Sequence, residues 1–262
     1  MKIGYIQTSP IFGEKEKNFS EIENLIHNIT ADLIVLPELF ATGYTFISKE
    51  EAYSLSEKKN SETADFLEDV SNDTGAIIVG GFIEKDSEKI YNSALIVSNK
   101  GVIDSYRKIH LYFKEKLWFS PGDKPIKIYE VDSIKIGIMI CFDWIFPETA
   151  RSLSLLGADI IAHPANLVLP YCQKAMVTRC LENMVFAITA NRIGQERRGE
   201  DSFQFTGESQ ITSYDGKVLS SAPSDTTFID FVDINLINAR DKTLNEFNDV
   251  FKDRRINYYY NK

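Results

Sequence analysis

Cysteine is scarce in this 262-residue chain. Cys141, Cys172 and Cys180 are an odd set with no Cys-x-x-Cys pair, which suggests neither a disulfide framework nor a cysteine zinc site. At least one thiol must stand free. Long apolar runs are missing too: the longest, Ile136 to Phe142, covers seven residues, far short of the roughly 20 that cross a bilayer. The amino terminus, Met1-Lys2-Ile3-Gly4-Tyr5-Ile6-Gln7, has no apolar stretch or small-residue cleavage site of a secretory signal, so a cytoplasmic protein is expected. Positive charge is in deficit, 29 basic against 38 acidic residues with net charge -9, and a surface of that sign repels phosphate backbones and anionic lipid. Nucleic acid and membrane are therefore not expected as partners. A hydrophobic content of 44% with 12% aromatics is enough to bury a substantial core, which excludes a disordered chain.

Short runs rich in Val and Ile read as strands: Lys2–Gln7, Leu33–Leu36, Ala76–Ile83, Ser93–Ser98, Ile134–Cys141, Ile160–His163, Val185–Ala190, Ser209–Thr212 and Thr227–Val232. Several are apolar at consecutive positions, the mark of strands covered on both faces. Between them lie helical faces: Phe19, Ile22, Leu25, Ile26 and Ile29; Ala64, Leu67 and Val70; Met176, Val177, Cys180, Leu181 and Met184. Asn60 or Ser61 suits a helix start that Gly75 ends, and Pro147 with Glu148 suits the first turn of a helix that stops at Gly157. Strands alternating with helices make an α/β fold.

Two words recur along the chain. Lys2-Ile3-Gly4-Tyr5-Ile6 returns as Lys135-Ile136-Gly137-Ile138-Met139, and Ala31-Asp32-Leu33-Ile34-Val35-Leu36-Pro37 returns as Ala158-Asp159-Ile160-Ile161-Ala162-His163-Pro164. The order strand, helix, strand, proline is thus used twice, which predicts two internally similar halves. The carboxyl ends of such strands are where open α/β sheets place their sites. Glu38 follows one of them and Cys141 ends another. No Pro, Gly or Ser-rich linker divides the chain, so 1–262 is read as one domain. From 236 to 262 the composition turns polar and ends in Tyr258-Tyr259-Tyr260; tyrosine is enriched at interfaces, so this tail is expected at a dimer contact.

A cysteine nucleophile needs a base, a cation or dipoles for the anion that forms, and a site that excludes water. Leu36-Pro37-Glu38-Leu39-Phe40 offers a carboxylate in an apolar setting suited to general-base work. Tyr106-Arg107-Lys108-Ile109-His110-Leu111, with Glu115 beyond it, offers a cation. Ile140-Cys141-Phe142-Asp143-Trp144-Ile145-Phe146-Pro147-Glu148 sets a thiol at a turn from strand into helix. Each word alone reads as packing or a solvated charge. Their joint occurrence points to covalent catalysis.

Together these words resemble the nitrilase superfamily of carbon–nitrogen hydrolases, over nearly the whole chain. Lys108-x-His110-Leu111 with Glu115 and Phe119-x-Pro121-Gly122-Asp123 matches one block, and Cys141-x-Asp143-x-x-x-Pro147-Glu148 with Arg151 another. Ala158-Asp159, Pro164-Ala165-Asn166, Glu182-Asn183, Ala190-Asn191-Arg192 and Phe205-x-Gly207-x-Ser209 follow in order. The resemblance implies a four-layer α-β-β-α sandwich, a homodimer, and a Glu38, Lys108, Cys141 triad with Glu115 in support. It implies the Phe142 backbone N–H as an oxyanion donor, pocket contacts from Trp144 and Asn166, and no metal or organic cofactor. The expected reaction is hydrolysis of a small aliphatic nitrile to acid and ammonia, or, as the alternative, of ω-amides or N-carbamoyl amines; a silent dimeric binding module is the remaining reading. Phe142-Asp143 after the cysteine departs from the Trp-Glu of long nitrilases, which keeps the amidase alternative open. His110 and His163 are read as hydrogen-bonded structural histidines, Cys172 and Cys180 as packing residues, Asn191 as a strand-end hydrogen-bonding residue, and the charged stretch from Gln195 to Asp201 as a mobile surface loop.

Overall fold

A computed structural model describes residues 1–259; Tyr260 of the tyrosine tail, with 261 and 262, lies outside the described residues. The first half runs β1 (Lys2–Gln7), α1 (Lys15–Ile26), β2 (Leu33–Val35), α2 (Lys49–Ser54), α3 (Glu62–Thr74), β3 (Ile77–Asp86), β4 (Lys89–Ser98) and β5 (Gly101–Arg107). There follow α4 (Glu115–Trp118), β6 (Ile128–Val131), β7 (Ile134–Ile138), a 3-10 turn (Cys141–Ile145), α5 (Pro147–Leu155), β8 (Ile160–Pro164), α6 (Cys172–Asn183) and β9 (Phe186–Ala190). The chain ends with β10 (Gln195–Arg198), β11 (Asp201–Gln204), β12 (Gln210–Thr212), β13 (Val218–Ser221), β14 (Phe228–Asp233), α7 (Ile237–Arg240), β15 (Thr243–Asn245), β16 (Asn248–Asp249) and a 3-10 turn (Ile256–Tyr258).

Two six-stranded sheets result, ordered β14-β1-β2-β3-β4-β5 and β6-β7-β8-β9-β12-β13. Position by position the two correspond: an antiparallel edge strand, three parallel strands, then two antiparallel ones. The repeated words occupy equivalent places. Ile3 pairs with Leu33 and Ile136 with Ile160 in the same parallel register. The two aspartates do the same job, Asp32 accepting from the Lys2 N–H at 2.6 Å and Asp159 from the Lys135 N–H at 3.0 Å. The edge strands are exchanged: β6 follows the first half but joins the second sheet, and β14 follows the second half but returns to β1.

Burial explains the apolar runs. Ile3, Tyr5, Leu33, Val35, Ile77 and Val79 face the second sheet, while Ile6, Ile34 and Ile78 face α1 and α3. The second sheet packs Ile136, Ile160 and Ile188 inside the same central core, with α5 and α6 on its outer face. The layers are therefore helix, sheet, sheet, helix. Gly75, at φ 72, ends α3 in a left-handed conformation that suits glycine. Asn28, at φ 61, stops α1 before Ile29, which leaves that residue off the predicted face. Among the described residues no helix is long and apolar enough to cross a membrane.

Two segments depart from expectation. The strand predicted to run to Cys141 ends at Ile138, because the Ile140 N–H turns to the Asp143 carboxylate (2.8 Å) instead of continuing the ladder. The charged stretch from Gln195 is the antiparallel hairpin β10–β11 rather than a loop, and it is anchored: Glu196 is buried against Arg192 and caps the Tyr44 and Thr45 N–H groups at 3.0 and 2.5 Å.

Candidate active site

The site forms at the carboxyl ends of the central parallel strands, between the two sheets. Glu38 lies just past β2, on a loop pressed against β3 so closely that a Cβ on Gly81 would stand 2.6 Å from the Glu38 Cα and 2.4 Å from the Leu39 nitrogen. Lys108 follows β5, whose last residue, Arg107, is buried in ion pairs with Glu84 (2.6 Å), Asp86 (2.7 Å) and Asp123 (2.9 Å). The Lys108 N–H donates to the Asn92 carbonyl and its own carbonyl accepts from Gly122, both at 2.8 Å, so the backbone is clamped on two sides. Cys141 opens the 3-10 turn at φ 39, a left-handed conformation that a non-glycine residue holds only when its surroundings impose it.

Those surroundings centre on Asp143. Its carboxylate accepts from Tyr106 Oη (2.8 Å), the Ile140 N–H (2.8 Å), the His110 N–H (3.2 Å) and His110 Nδ1 (2.7 Å). The loop carrying Lys108 is thereby tied to the turn carrying Cys141. His163 supports the turn from beneath: Nε2 donates to the Cys141 carbonyl and Nδ1 accepts from Thr189 Oγ1, each at 3.0 Å. Burial lowers the His163 pKa to about 4, so the ring is neutral. Both histidines are hydrogen-bonded as expected.

Glu38, Lys108 and Glu115 form a buried charged trio. Lys108 Nζ donates to Glu38 Oε1 at 2.7 Å and to Glu115 Oε1 at 2.8 Å. Burial alone would favour neutral lysine, but the carboxylates of Glu115 and Glu38 more than offset it and hold the ammonium well above its ordinary range. Burial raises Glu115 to about 7 against the pull of Lys108, even though its oxygens also accept from Tyr44 Oη (2.8 Å) and the Tyr112 N–H (3.1 Å). Glu38 Oε1 has a second donor, Asn92 Nδ2 at 2.7 Å, whereas Oε2 is buried with no protein partner. Cys141 feels all three charges. Burial pushes its thiol well above the usual range, Glu38 adds to that, and Lys108 opposes it, as does the Asn166 backbone N–H. Burial and the Glu38 charge thus favour the protonated thiol over the thiolate.

Beside Cys141 lies a narrow pocket lined by Tyr112, Phe142, Trp144, Asn166 and the segment Leu167 to Leu169. Trp144 and Asn166 both line this pocket, and the Phe142 N–H sits at the start of the 3-10 turn, where amides have no intrahelical acceptor. Asn191 is a hydrogen-bonding residue as read: it accepts from the Leu167 N–H and donates to Thr206 and Gly207. Cys172 and Cys180 are fully buried in the core below α6. Among the described residues no group of three or more His, Cys, Asp or Glu side chains could hold a metal ion.

Sequence reasoning missed Asn92, Tyr44, Tyr106, Tyr112 and Glu196. Asn92 stands beside Ser93 just before the apolar run 94–97, where nothing local marks it. For Tyr44 and Glu196, 152 residues apart, no local signal existed.

The pattern of the Carbon-nitrogen hydrolase family matches residues 2–241. A nitrilase from Pyrococcus abyssi (strain GE5 / Orsay) is 47% identical over 264 residues, covering 99% of both chains. The crystal structure of a carbon–nitrogen hydrolase from Helicobacter pylori G27 superposes with a TM-score of 0.88 at 24% identity, over 99% of this chain and 97% of that one. A mutant of the amidase from Nesterenkonia sp. AN1, solved with the acetamide moiety of fluoroacetamide added covalently at its active site cysteine, superposes with a TM-score of 0.79 at 22% identity, over 98% of this chain and 94% of that one. Sequence and fold agree that this protein is an enzyme of the carbon–nitrogen hydrolase family.

Proposed function

We propose that the protein hydrolyses small aliphatic nitriles to the acid and ammonia through a covalent intermediate on Cys141. The observation that carries this reading is the division of labour at Glu38, with Oε1 held by Lys108 and Asn92 while Oε2 is buried without a protein partner, in a carboxylate whose charge acts on the Cys141 thiol. Glu38 takes the Cys141 proton as sulfur attacks the nitrile carbon, since a thiol held protonated by burial needs a base at the moment of attack. The nitrile nitrogen is protonated to a thioimidate, and one water adds to its carbon. Lys108 and the Phe142 N–H stabilise the charge that develops, and Lys108 delivers a proton to the departing ammonia. Glu38 then takes a proton from a second water, which attacks the thioester; the C–S bond breaks and Cys141 recovers its proton. Glu115 and Tyr44 hold Lys108 in place.

An amide enters the same sequence at the tetrahedral stage. Amide hydrolysis is the second reading, favoured by Phe142-Asp143 after the nucleophile and by the likeness to the Nesterenkonia amidase. The three free, buried cysteines fit a reducing cytoplasm. We also propose that 1–262 acts as one domain and pairs as a homodimer through its tail, where Phe247, Ile256, Tyr258 and Tyr259 are exposed (81, 55, 75 and 56%).

The test is ammonia release from aliphatic nitriles, carboxamides and N-carbamoyl amines by wild type and Cys141→Ala. Nitrile turnover that Cys141→Ala abolishes, with the fold intact by circular dichroism, is expected. Turnover of amides alone replaces the nitrilase reading by the amidase one, and substantial activity in Cys141→Ala overturns the covalent mechanism.

A further inference from the structure

Two asparagines stand side by side at the ends of β8 and β9, and they differ. Asn191 spends its whole amide on protein partners. Asn166 is only 2% exposed, yet both its Oδ1 and its Nδ2 are buried without any partner, and it lines the Cys141 cavity. A buried amide with neither atom bonded is unfavourable unless something that enters the cavity completes it.

The rest of the cavity narrows what that visitor is. Phe142, Trp144 and Leu167 are apolar, and no charged side chain is among the lining residues. The charges behind Cys141 are already paired with one another: Lys108 is shared between Glu38 and Glu115. A substrate carboxylate would lose its hydration without meeting a free cation, and would approach two carboxylates that outnumber the one ammonium. A substrate ammonium would find no carboxylate on the wall. Either charge is costly to bury unpaired.

Resting on the hydrolase reading, we infer that this enzyme takes small uncharged substrates carrying a second hydrogen-bonding group beyond the scissile carbon, and that Asn166 selects them by pairing with it. A carboxamide fits best, because its N–H meets Oδ1 while its carbonyl accepts from Nδ2. A carboxylate can only accept, so it sets an oxygen against Oδ1. An ammonium can only donate, so it leaves Oδ1 as its sole partner and sets a donor against Nδ2. An alkyl end satisfies neither atom. Sites built around a hydrogen-bonding group reject analogues that lack it, because their own polar atoms are then left unpaired.

Four probes read this directly: glutaramide, its half-acid glutaramate, the cation 5-aminopentanamide, and butyramide, which lacks the terminal group altogether. Two measurements on the full-length enzyme are made with each, kcat/KM for ammonia release and the concentration that half-protects Cys141 from iodoacetamide. Glutaramide is expected to lead butyramide by about tenfold in both, and the two charged amides by about a hundredfold. Asn166→Leu should bring glutaramide to within about twofold of butyramide, and Asn166→Asp should lift 5-aminopentanamide above glutaramate. The last result is a change of charge preference that a purely structural role does not produce. Equal protection by all four, preference for a charged amide in the wild type, or an unchanged ranking in both variants overturns the inference. Glutaramide-selective protection without ammonia release from any amide or nitrile would instead refute the hydrolase reading and leave the selection by Asn166 standing.

Discussion

Acidification from about pH 7 to about pH 5 is expected to cost the wild type about 2 kcal/mol of folding stability relative to a His163→Gln variant. In the folded protein burial lowers His163 from its ordinary 6.5 to about 4. Between those values the unfolded chain binds a proton that the folded chain refuses, so stability falls as pH falls. The full difference, about 2.5 units, corresponds to about 3 kcal/mol, reached only below about pH 4. Glu115 acts in the opposite direction. Its pKa is raised from 4.5 to about 7 by burial, so it adds stability that is complete below about pH 4.5 and is lost as pH rises through about 7. The two nearly cancel in the wild type, and a simple pH profile of stability would hide both. Subtracting the variant removes Glu115, which is common to the two proteins, and glutamine retains an N–H donor for the Cys141 carbonyl. Urea unfolding of both proteins, followed by tryptophan fluorescence at the two pH values, gives the difference. A difference that stays constant within about 0.5 kcal/mol would refute the reasoning, since His163 would then titrate alike in both states.

Tyr44→Phe removes an O–H donor from the buried Glu115 carboxylate; at about 1.5 to 3 kcal/mol for such a bond, the Glu115 pKa should rise by about 1 to 2 units. The acid limb of the kcat/KM profile should move up by that amount, and an unmoved limb separates Glu115 from the rate. Gly81→Ala sets a Cβ 2.4 Å from the Leu39 nitrogen, so the Glu38 loop must shift; kcat should fall at least about tenfold with about 1 to 3 kcal/mol of destabilisation, and wild-type values for both would show that the loop yields freely. Iodoacetamide should label Cys141, which faces an open cavity, well before the fully buried Cys172 and Cys180. Equal labelling by peptide mass mapping would contradict that ordering.

The recurring words were readable because equivalent positions impose equivalent chemistry: an aspartate that accepts the N–H opening a strand, and aliphatics covered on both faces. Strands with one wet face were not. β5, Gly-Val-Ile-Asp-Ser-Tyr-Arg, and β6, Ile-Tyr-Glu-Val, mix polar and apolar residues over too short a span to stand out from a loop. The hairpin Gln195–Gln204 escapes a sequence reading for a related reason, since its charges look solvated while Glu196 faces inward to Arg192. The residues that meet at the site carry local words, and so Glu38, Lys108, Glu115, Cys141, Trp144 and Asn166 could be picked out along the chain. Their supports could not. Asn92 meets Glu38 from 54 positions away and Tyr106 meets Asp143 from 37, and only the folded sheets bring such pairs into contact.

The exchanged edge strands also set a timetable for the ribosome. β1 is among the first segments to emerge, but the neighbour that covers its outer edge, β14, is made some 230 residues later, Lys2 pairing with Asp233. At roughly 5 to 20 residues per second the open edge persists for about 10 to 50 seconds. Throughout that interval β1 offers unpaired backbone groups to any passing strand, the situation in which nascent sheets aggregate or borrow a partner from another chain. Phe231, which lies across Gly4 where no side chain could fit, is the residue that finally closes this edge. The yield of native enzyme should therefore depend on chaperone capacity during synthesis more than its finished, interlocked sheets would suggest.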